Sequence, residues 1–367
     1  MKILLAPNSL KGSLSAIDFV KIATSVLSKK HHTRSVCLSD GGDGFLDFFK
    51  TLYPQAQRKY CSARNAFFQS QRVPFLFLPK QKIAVLETAK ICGLGNLPKT
   101  QLDVLNASSY GVGEVLLQAV KAGAKTVYIG LGGVACSDGG AGLAQACGAI
   151  LTNHKGKLLT TGAKPLLNLH HLDLAILEKN LQGIKIIAVA DVTNPLLGPR
   201  SSAKVFGPQK GASPAQVKKL DNAMAVWARA IQQTTGRKIS NQPGTAAAGA
   251  IAAGLVGCFG AKLISGSEFL TQKAQLEKWI KQADLIITAE GKLDRQTFYG
   301  KAPSAILKLA KTYQKPTLFI CGQLDEKCLK KNPLAPTYLA VLTDFATSTD
   351  DAKKHAANYI RCVLKNI

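Results

Sequence analysis

Two runs gather the residue types that phosphoryl chemistry uses: DGGDG at 40–44 and GLGGVACSDGGAG at 130–142. Transfer of a phosphoryl group needs glycine backbone that a phosphate can approach and N–H groups at a helix start. It also needs carboxylates to hold Mg2+ and a lysine facing the developing charge. The longer run offers Gly132, Gly133, Gly139 and Gly140 around Asp138, between one apolar strand-like run and the apolar stretch AGLAQACGA. A strand-to-helix turn that needs glycine for packing alone is the competing reading, and it accounts for one or two glycines better than for six with an aspartate among them.

Further candidates lie outside these runs. Asp40 in DGGDG and Asp191 in DVTNP fit either Mg2+ ligands or turn-forming residues. Lys11, in NSLKGS, fits a substrate or phosphate contact, or one of many surface lysines. Glu290 and Asp294 in AEGKLDRQ fit paired carboxylates for metal or base work, or an exposed loop with a helix cap at Asp294. None of the six histidines falls in these loops, so a general base is expected to be a carboxylate. A GxxxxGK[ST] loop and the protein-kinase signature set are both absent. Gly130, Gly132 and Ala135 satisfy a permissive GxGxxA, which keeps an NADP-dependent oxidoreductase as an alternative. The acid that should follow about 20 residues later is missing, since no Asp or Glu stands between Asp138 and Asp173.

The elements that must position these residues are apolar runs rich in Val and Ile: 2–6, 35–39, 83–87, 126–131, 184–191, 283–290, 317–322 and 338–343. Continuous rather than alternating hydrophobicity predicts strands buried on both faces, hence an α/β fold with mostly parallel sheets. In such sheets ligands bind beyond the carboxyl ends of the strands, where Asp40, Glu87, Asp191 and Glu290 stand. Ser15 with Asp18 fits a capping box ahead of a first helix. Further helices are predicted over 110–122, 139–149, 214–234, 246–260 and 301–313. The mixed stretch 54–75 is the weakest part of the βα pattern and reads as a crossover between domains. Because the chain ends as it began, in βα units, the expectation is one discontinuous Rossmann/flavodoxin-like domain (1–65 and 290–367) with a second α/β domain (66–289) inserted.

The 367 residues, 46% hydrophobic, are ample for two cores. Lys+Arg 47 against Asp+Glu 22 gives a net charge of +25 and favours anionic partners. The lysines are spread along the chain and aromatics are only 7%, unlike the concentrated patch of a nucleic-acid binder, which is left as a third reading. Nine cysteines without a CxxC pair predict reduced thiols in a cytoplasmic protein. The apolar run at the N-terminus is too short for a signal peptide. The uncharged stretch 245–261 is mostly Ala and Gly and falls short of the roughly 20 strongly apolar residues of a membrane span. It is expected to be a buried, closely packed helix.

With these residues in view, the sequence resembles the type I glycerate kinases of bacterial glycerate and glucarate catabolism over essentially its whole length. The matching segments are 6–16, 40–44, 110–124, 130–149, 190–213, 243–255 and 287–303. The resemblance implies transfer of the ATP γ-phosphoryl group to a hydroxyl of D-glycerate with Mg2+, many members forming the 2-phospho product. It also implies two α/β domains with the active site in the cleft between them, and a monomer or homodimer binding neither nucleic acid nor membrane. By motif match it carries over Lys11, Asp40, Asp138, Asp191, Asn194, Lys210, Glu290 and Asp294 as site residues. The sequence departs from the family pattern in having Asn8 for Asp, Asp43 for Glu, Tyr110 for Arg, Val134 for Ser and Ser137 for Asn. A phenol cannot replace the bidentate grip of an arginine. An active kinase is still expected, on glycerate or a related small hydroxy acid, because the carboxylates at 40, 138, 191, 290 and 294 remain.

Overall fold

The computed structural model describes residues 1–39, 41–95, 102–298, 302–330 and 332–367. Among these the strands are, in chain order, β1 (Lys2–Pro7), β2 (His32–Ser35), β3 (Gln57–Arg64), β4 (Ser70–Leu78), β5 (Ile83–Glu87), β6 (Thr126–Gly130) and β7 (Ile150–Thr152). They continue as β8 (His171–Asp173), β9 (Lys185–Ala190), β10 (Lys262–Ser265), β11 (Leu285–Leu293), β12 (Thr317–Leu324) and β13 (Tyr338–Val341). The chain divides into two compact units, one of Met1–Asp40, Asp47–Pro54 and Gly266–Ile367, the other of Gly41–Leu46 and Gln55–Ser265.

The first unit is built on a parallel five-stranded sheet ordered β13-β12-β11-β1-β2. One face, carrying Ile3, Leu5, Ile287 and Ile320, packs on Phe19, Ala23 and Leu27 of the helix Ala16–Leu27 and on Ile360 and Leu364 of the helix Ala356–Lys365. Phe319, Cys321 and Val341 join Leu307 of the helix Ala302–Thr312 in a separate cluster. Successive residues of a strand point to opposite faces, so burial of both faces requires the unbroken apolar runs seen in the sequence. Ser15 caps the first helix, its Oγ accepting from the Asp18 N–H at 3.2 Å, but Asp18 Oδ2 accepts from that hydroxyl at 2.7 Å rather than from the Ser15 N–H as a full capping box requires. The run 35–39 begins where β2 ends, yet Val36 N–H and Leu38 N–H still donate to Leu5 O and Pro7 O, continuing the ladder beside β1. Strand order reverses at β1, which has β2 on one side and β11 on the other. That reversal opens a crevice at the carboxyl ends of β1 and β11.

The second unit has a six-stranded sheet, β10-β9-β6-β5-β4-β3, in which the first four are mutually parallel and β4 pairs antiparallel with both β5 and β3. The chain passes from one unit to the other between Pro54 and Gln55, but the stretch 54–75 is not irregular. It forms β3 and much of β4, a hairpin whose Asn65 Oδ1 accepts from the N–H groups of Phe67 and Gln69. The strand β3 lies at the sheet edge and exposes Gln57, Arg58, Ser62 and Arg64, which hid its strand character. Pro74 sits where β4 pairs with β3 alone. The Ala- and Gly-rich stretch forms the helix Ala247–Phe259, with Ile251, Ala252, Ala253 and Leu255 buried, as expected. No helix among the described residues is long and apolar enough to cross a membrane.

Candidate active site

In the first unit the crevice at the strand reversal holds a cavity of about 220 Å³. Lys11 and Ser13 enter it from the loop after β1, Glu290, Gly291 and Lys292 from β11, and Asp294 from the turn that follows. No histidine lines it. Thr297 Oγ1 donates to Glu290 Oε2 at 2.9 Å and accepts from the Asp294 N–H at 3.2 Å, so one hydroxyl orients the base of both acidic positions. Three of the sequence candidates, Lys11, Glu290 and Asp294, therefore share one pocket. Lys11, Lys292 and Lys353, beside two carboxylates, can bind an anion while the carboxylates accept hydrogen bonds from hydroxyls.

In the second unit the two glycine runs lie against each other. A Cβ on Gly132 would stand 2.7 Å from Gly42 Cα, so only glycine permits this approach. Thr88 Oγ1 donates to Gly130 O at 2.9 Å and accepts from Gly132 N–H at 3.2 Å. Glu87, fully buried at the end of β5, accepts from Leu46 N–H at 3.0 Å and Gly44 N–H at 3.3 Å, bracing the start of the helix Phe45–Leu52. Gly133 is exposed and Gly132 half-buried, whereas Gly139 and Gly140 are buried. The predicted helix 139–149 is shorter, Ala141–Ala146. A Cβ on Gly139, whose φ is +67°, would fall 2.6 Å from Trp227 Cδ1, and Trp227 Nε1 donates to Gly139 O at 2.9 Å.

Asp138 is also inaccessible, with 0% exposure. It accepts from Ser108 Oγ, Ser109 Oγ and the N–H groups of Ser109, Gly140 and Gly142, at 2.8–3.2 Å. Burial raises its carboxyl above the usual range, against the pull of those donors. The N–H groups at the start of the helix Ala141–Ala146 are thus directed at Asp138. Lys210 is buried too, its Nζ donating to Cys136 O at 2.5 Å and to Ser137 Oγ at 3.2 Å, and burial lowers its pKa. Both charges shape the loop between them.

Asp191 stands just past β9, half-buried, and accepts from Ser265 Oγ at 3.2 Å. Asn194 Nδ2 donates to Arg200 O at 3.0 Å, closing the loop 194–200. Asp40 lies outside the described residues. No three of His, Cys, Asp and Glu cluster as a metal site among the described residues. The dinucleotide fingerprint fails on geometry: Val134 bridges to Gly93, Ala135 N–H donates to Cys92 O, and a helix begins only at Ala141. A nucleotide-binding GxGxxA must open directly into a helix.

A profile of the glycerate kinase family matches residues 3–367. The chain belongs to the glycerate kinase family. It is 34% identical to a glycerate 2-kinase of Escherichia coli K12 over 100% of this chain and 97% of that one. A glycerate kinase of Halalkalibacterium halodurans is likewise 34% identical, over 88% of this chain and 86% of the relative. A solved structure from Salmonella typhimurium LT2, assigned as glycerate kinase 2, superposes with a TM-score of 0.81 at 32% identity, covering 100% of this chain and 96% of that one. Membership makes the chain a kinase with two mostly parallel α/β sheets.

Within this family frame, the departures have local partners. The Tyr110 ring packs 5.4 Å from Phe68 and lies 5.2 Å beneath the Arg64 guanidinium, which pairs with Glu114. Ser137 serves Lys210, and Asn8 Oδ1 accepts from Ser9 N–H at 2.8 Å. Sequence reasoning missed Lys292, Thr297 and Lys353. Lys292 stands two residues from Glu290 in the same strand, a signal that was available, while Lys353 carried none.

Proposed function

We propose that this chain is an ATP-dependent glycerate kinase that moves the γ-phosphoryl group onto a hydroxyl of D-glycerate, acting in the cytoplasm as a monomer or homodimer. The observation that carries the reading is the cavity at the carboxyl ends of β1 and β11, with its lysines and two carboxylates within about 220 Å³. Pockets for drug-sized ligands run from about 300 to 1,000 Å³, so this volume suits a small hydroxy acid rather than a whole nucleotide. Family membership supports ATP as donor.

In this proposal Glu290, oriented by Thr297, takes the proton of the attacking hydroxyl as its oxygen bonds to phosphorus and ADP departs. Lys11 meets the charge on the moving phosphoryl group, and Asp294 holds the substrate's second hydroxyl. Gly132 and Gly133 offer accessible backbone to the nucleotide phosphates. Gly139, Gly140, Asp138, Asn194 and Lys210 act by shaping that loop region. Carboxylates of this chain would hold Mg2+, which when bound would supply charge neutralisation for the phosphates. Asp191, a partly accessible carboxylate at a strand end, fits such a role; Asp40, the other carboxylate expected from the sequence, lies outside the described residues.

The name of the Escherichia coli relative supports the 2-phospho product over the 3-phospho. Phosphorus NMR of a reaction containing the chain, Mg·ATP and D-glycerate tests both points. A 2-phosphoglycerate resonance is expected. Absence of ADP formation above a control without glycerate would overturn the reading, and a 3-phosphoglycerate resonance would overturn the regiochemistry.

A further inference from the structure

The C-terminal segment supplies one wall of the same cavity through Leu342, Thr349, Ala352 and Lys353. Two hydrogen bonds hold this wall. Ser13 Oγ, two residues from Lys11, donates to Lys353 O at 2.6 Å, and Gln323 Nε2, from β12, donates to Thr349 Oγ1 at 3.3 Å. The short helix Thr349–Lys354 is therefore tied both to the loop after β1 and to the end of β12.

The Lys353 ammonium has a weak competitor. Its ion pair with Asp350 is long, at 3.7 Å, and the Asp350 side chain is 95% exposed, so solvent screens most of that attraction. A lysine fixed at its backbone and barely engaged at its tip is suited to an incoming anion. Both lining carboxylates come from β11 and its turn, where Lys292 also stands, while the C-terminal wall contributes a cation and no acid. A hydroxy acid placed with its reacting hydroxyl beside Glu290 would meet like charge if its own carboxylate turned toward Asp294. The acid-free wall is where that carboxylate is favoured.

We infer that Lys353 binds the carboxylate of the hydroxy-acid substrate and so sets the enzyme's preference for an acid over an uncharged polyol. The inference rests on the proposed glycerate kinase activity. Steady-state kinetics on the full chain test it. Lys353→Met is expected to raise the KM for D-glycerate roughly tenfold, the loss of one charge-assisted contact, with kcat and the KM for ATP unchanged. Lys353→Arg should restore most of the affinity, and Lys354→Met, on the same helix but not lining the cavity, should match the wild type.

A wild-type KM for glycerate in Lys353→Met, or an equal rise in both KM values, overturns the assignment. Hydrogen exchange on the wild-type chain gives a reading that no variant can spoil. Saturating glycerate should slow the amides of 349–354, and unchanged exchange there counts against the inference. A wild-type chain inactive on glycerate fails differently, since it removes the proposed activity itself and this inference with it.

Discussion

The Ser109 backbone N–H donates to Asp138 Oδ2 at 2.8 Å, and the Ser109 hydroxyl donates to the same oxygen at 3.0 Å. Through this pair the start of the helix Tyr110–Lys121 is anchored to the glycine-rich loop, and the N–H groups of Gly140 and Gly142 complete the anchor from the other side. The loop owes its shape to a carboxylate that solvent never reaches.

Asp138→Asn turns an amide NH2 toward groups that are themselves donors. Leaving them unpaired in the interior should cost about 3 kcal/mol or more, read as a lower urea midpoint. A pH series adds a sign. Burial raises the folded-state carboxyl above its unfolded value, so the folded chain binds the proton more tightly. The group's contribution to stability therefore falls as pH rises above about 4. The stability gap between wild type and Asp138→Asn should narrow across that window, and a gap that widened would contradict the assignment.

Gly139→Ala forces a Cβ against Trp227 at a left-handed φ. Backbone strain of about 1–2 kcal/mol and overpacking of about 1–3 kcal/mol should add. Gly156 also has positive φ, +72°, but nothing lies within 4 Å of its Cβ position, so Gly156→Ala should show the strain alone. Equal losses in the two variants, measured by chemical unfolding, would argue that Trp227 does not crowd the loop.

Glu290→Gln keeps shape and hydrogen bonding but removes a base. A general base contributes about 10²- to 10⁴-fold, so kcat should fall by that order while the KM for ATP holds. Thr297→Val, which removes one hydrogen bond from that carboxylate, should lose less. A Glu290→Gln enzyme with wild-type kcat would assign proton transfer elsewhere.

Native thiol chemistry should be sparse. Burial pushes the Cys37, Cys147 and Cys321 thiols up to about 12 and raises Cys258 as well, while contact with the Cys92 thiol, followed by burial, raises Cys136. Only Cys362 among the nine is exposed. A colourimetric disulfide reagent should titrate one fast thiol in the native chain and nine in denaturant.

Glu87→Gln removes the negative charge that braces the start of the helix Phe45–Leu52. The loss should be about 1 kcal/mol, seen as a modest fall in Tm. A neutral result would leave Glu87 without an energetic role there.

The sequence by itself determined the parallel strands, because burial on both faces demands continuous apolar runs, and such runs are visible residue by residue. It determined the first helix through the Ser15–Asp18 cap, and it marked Lys11, Glu290 and Asp294 because carboxyl ends of parallel strands are where ligands bind. Those are local signals. The hairpin at 57–78 was hidden because an edge strand exposes charge and loses its apolar signature.

Tertiary structure alone decided that Asp138, Gly139 and Gly140 face inward, since their packing depends on Trp227, far along the chain. Pairing likewise brought Ser13 to Lys353 across 340 residues. Residue type and short-range spacing record what a strand or helix needs of its neighbours in sequence. They hold no record of which distant side chain will fill the space beside a glycine.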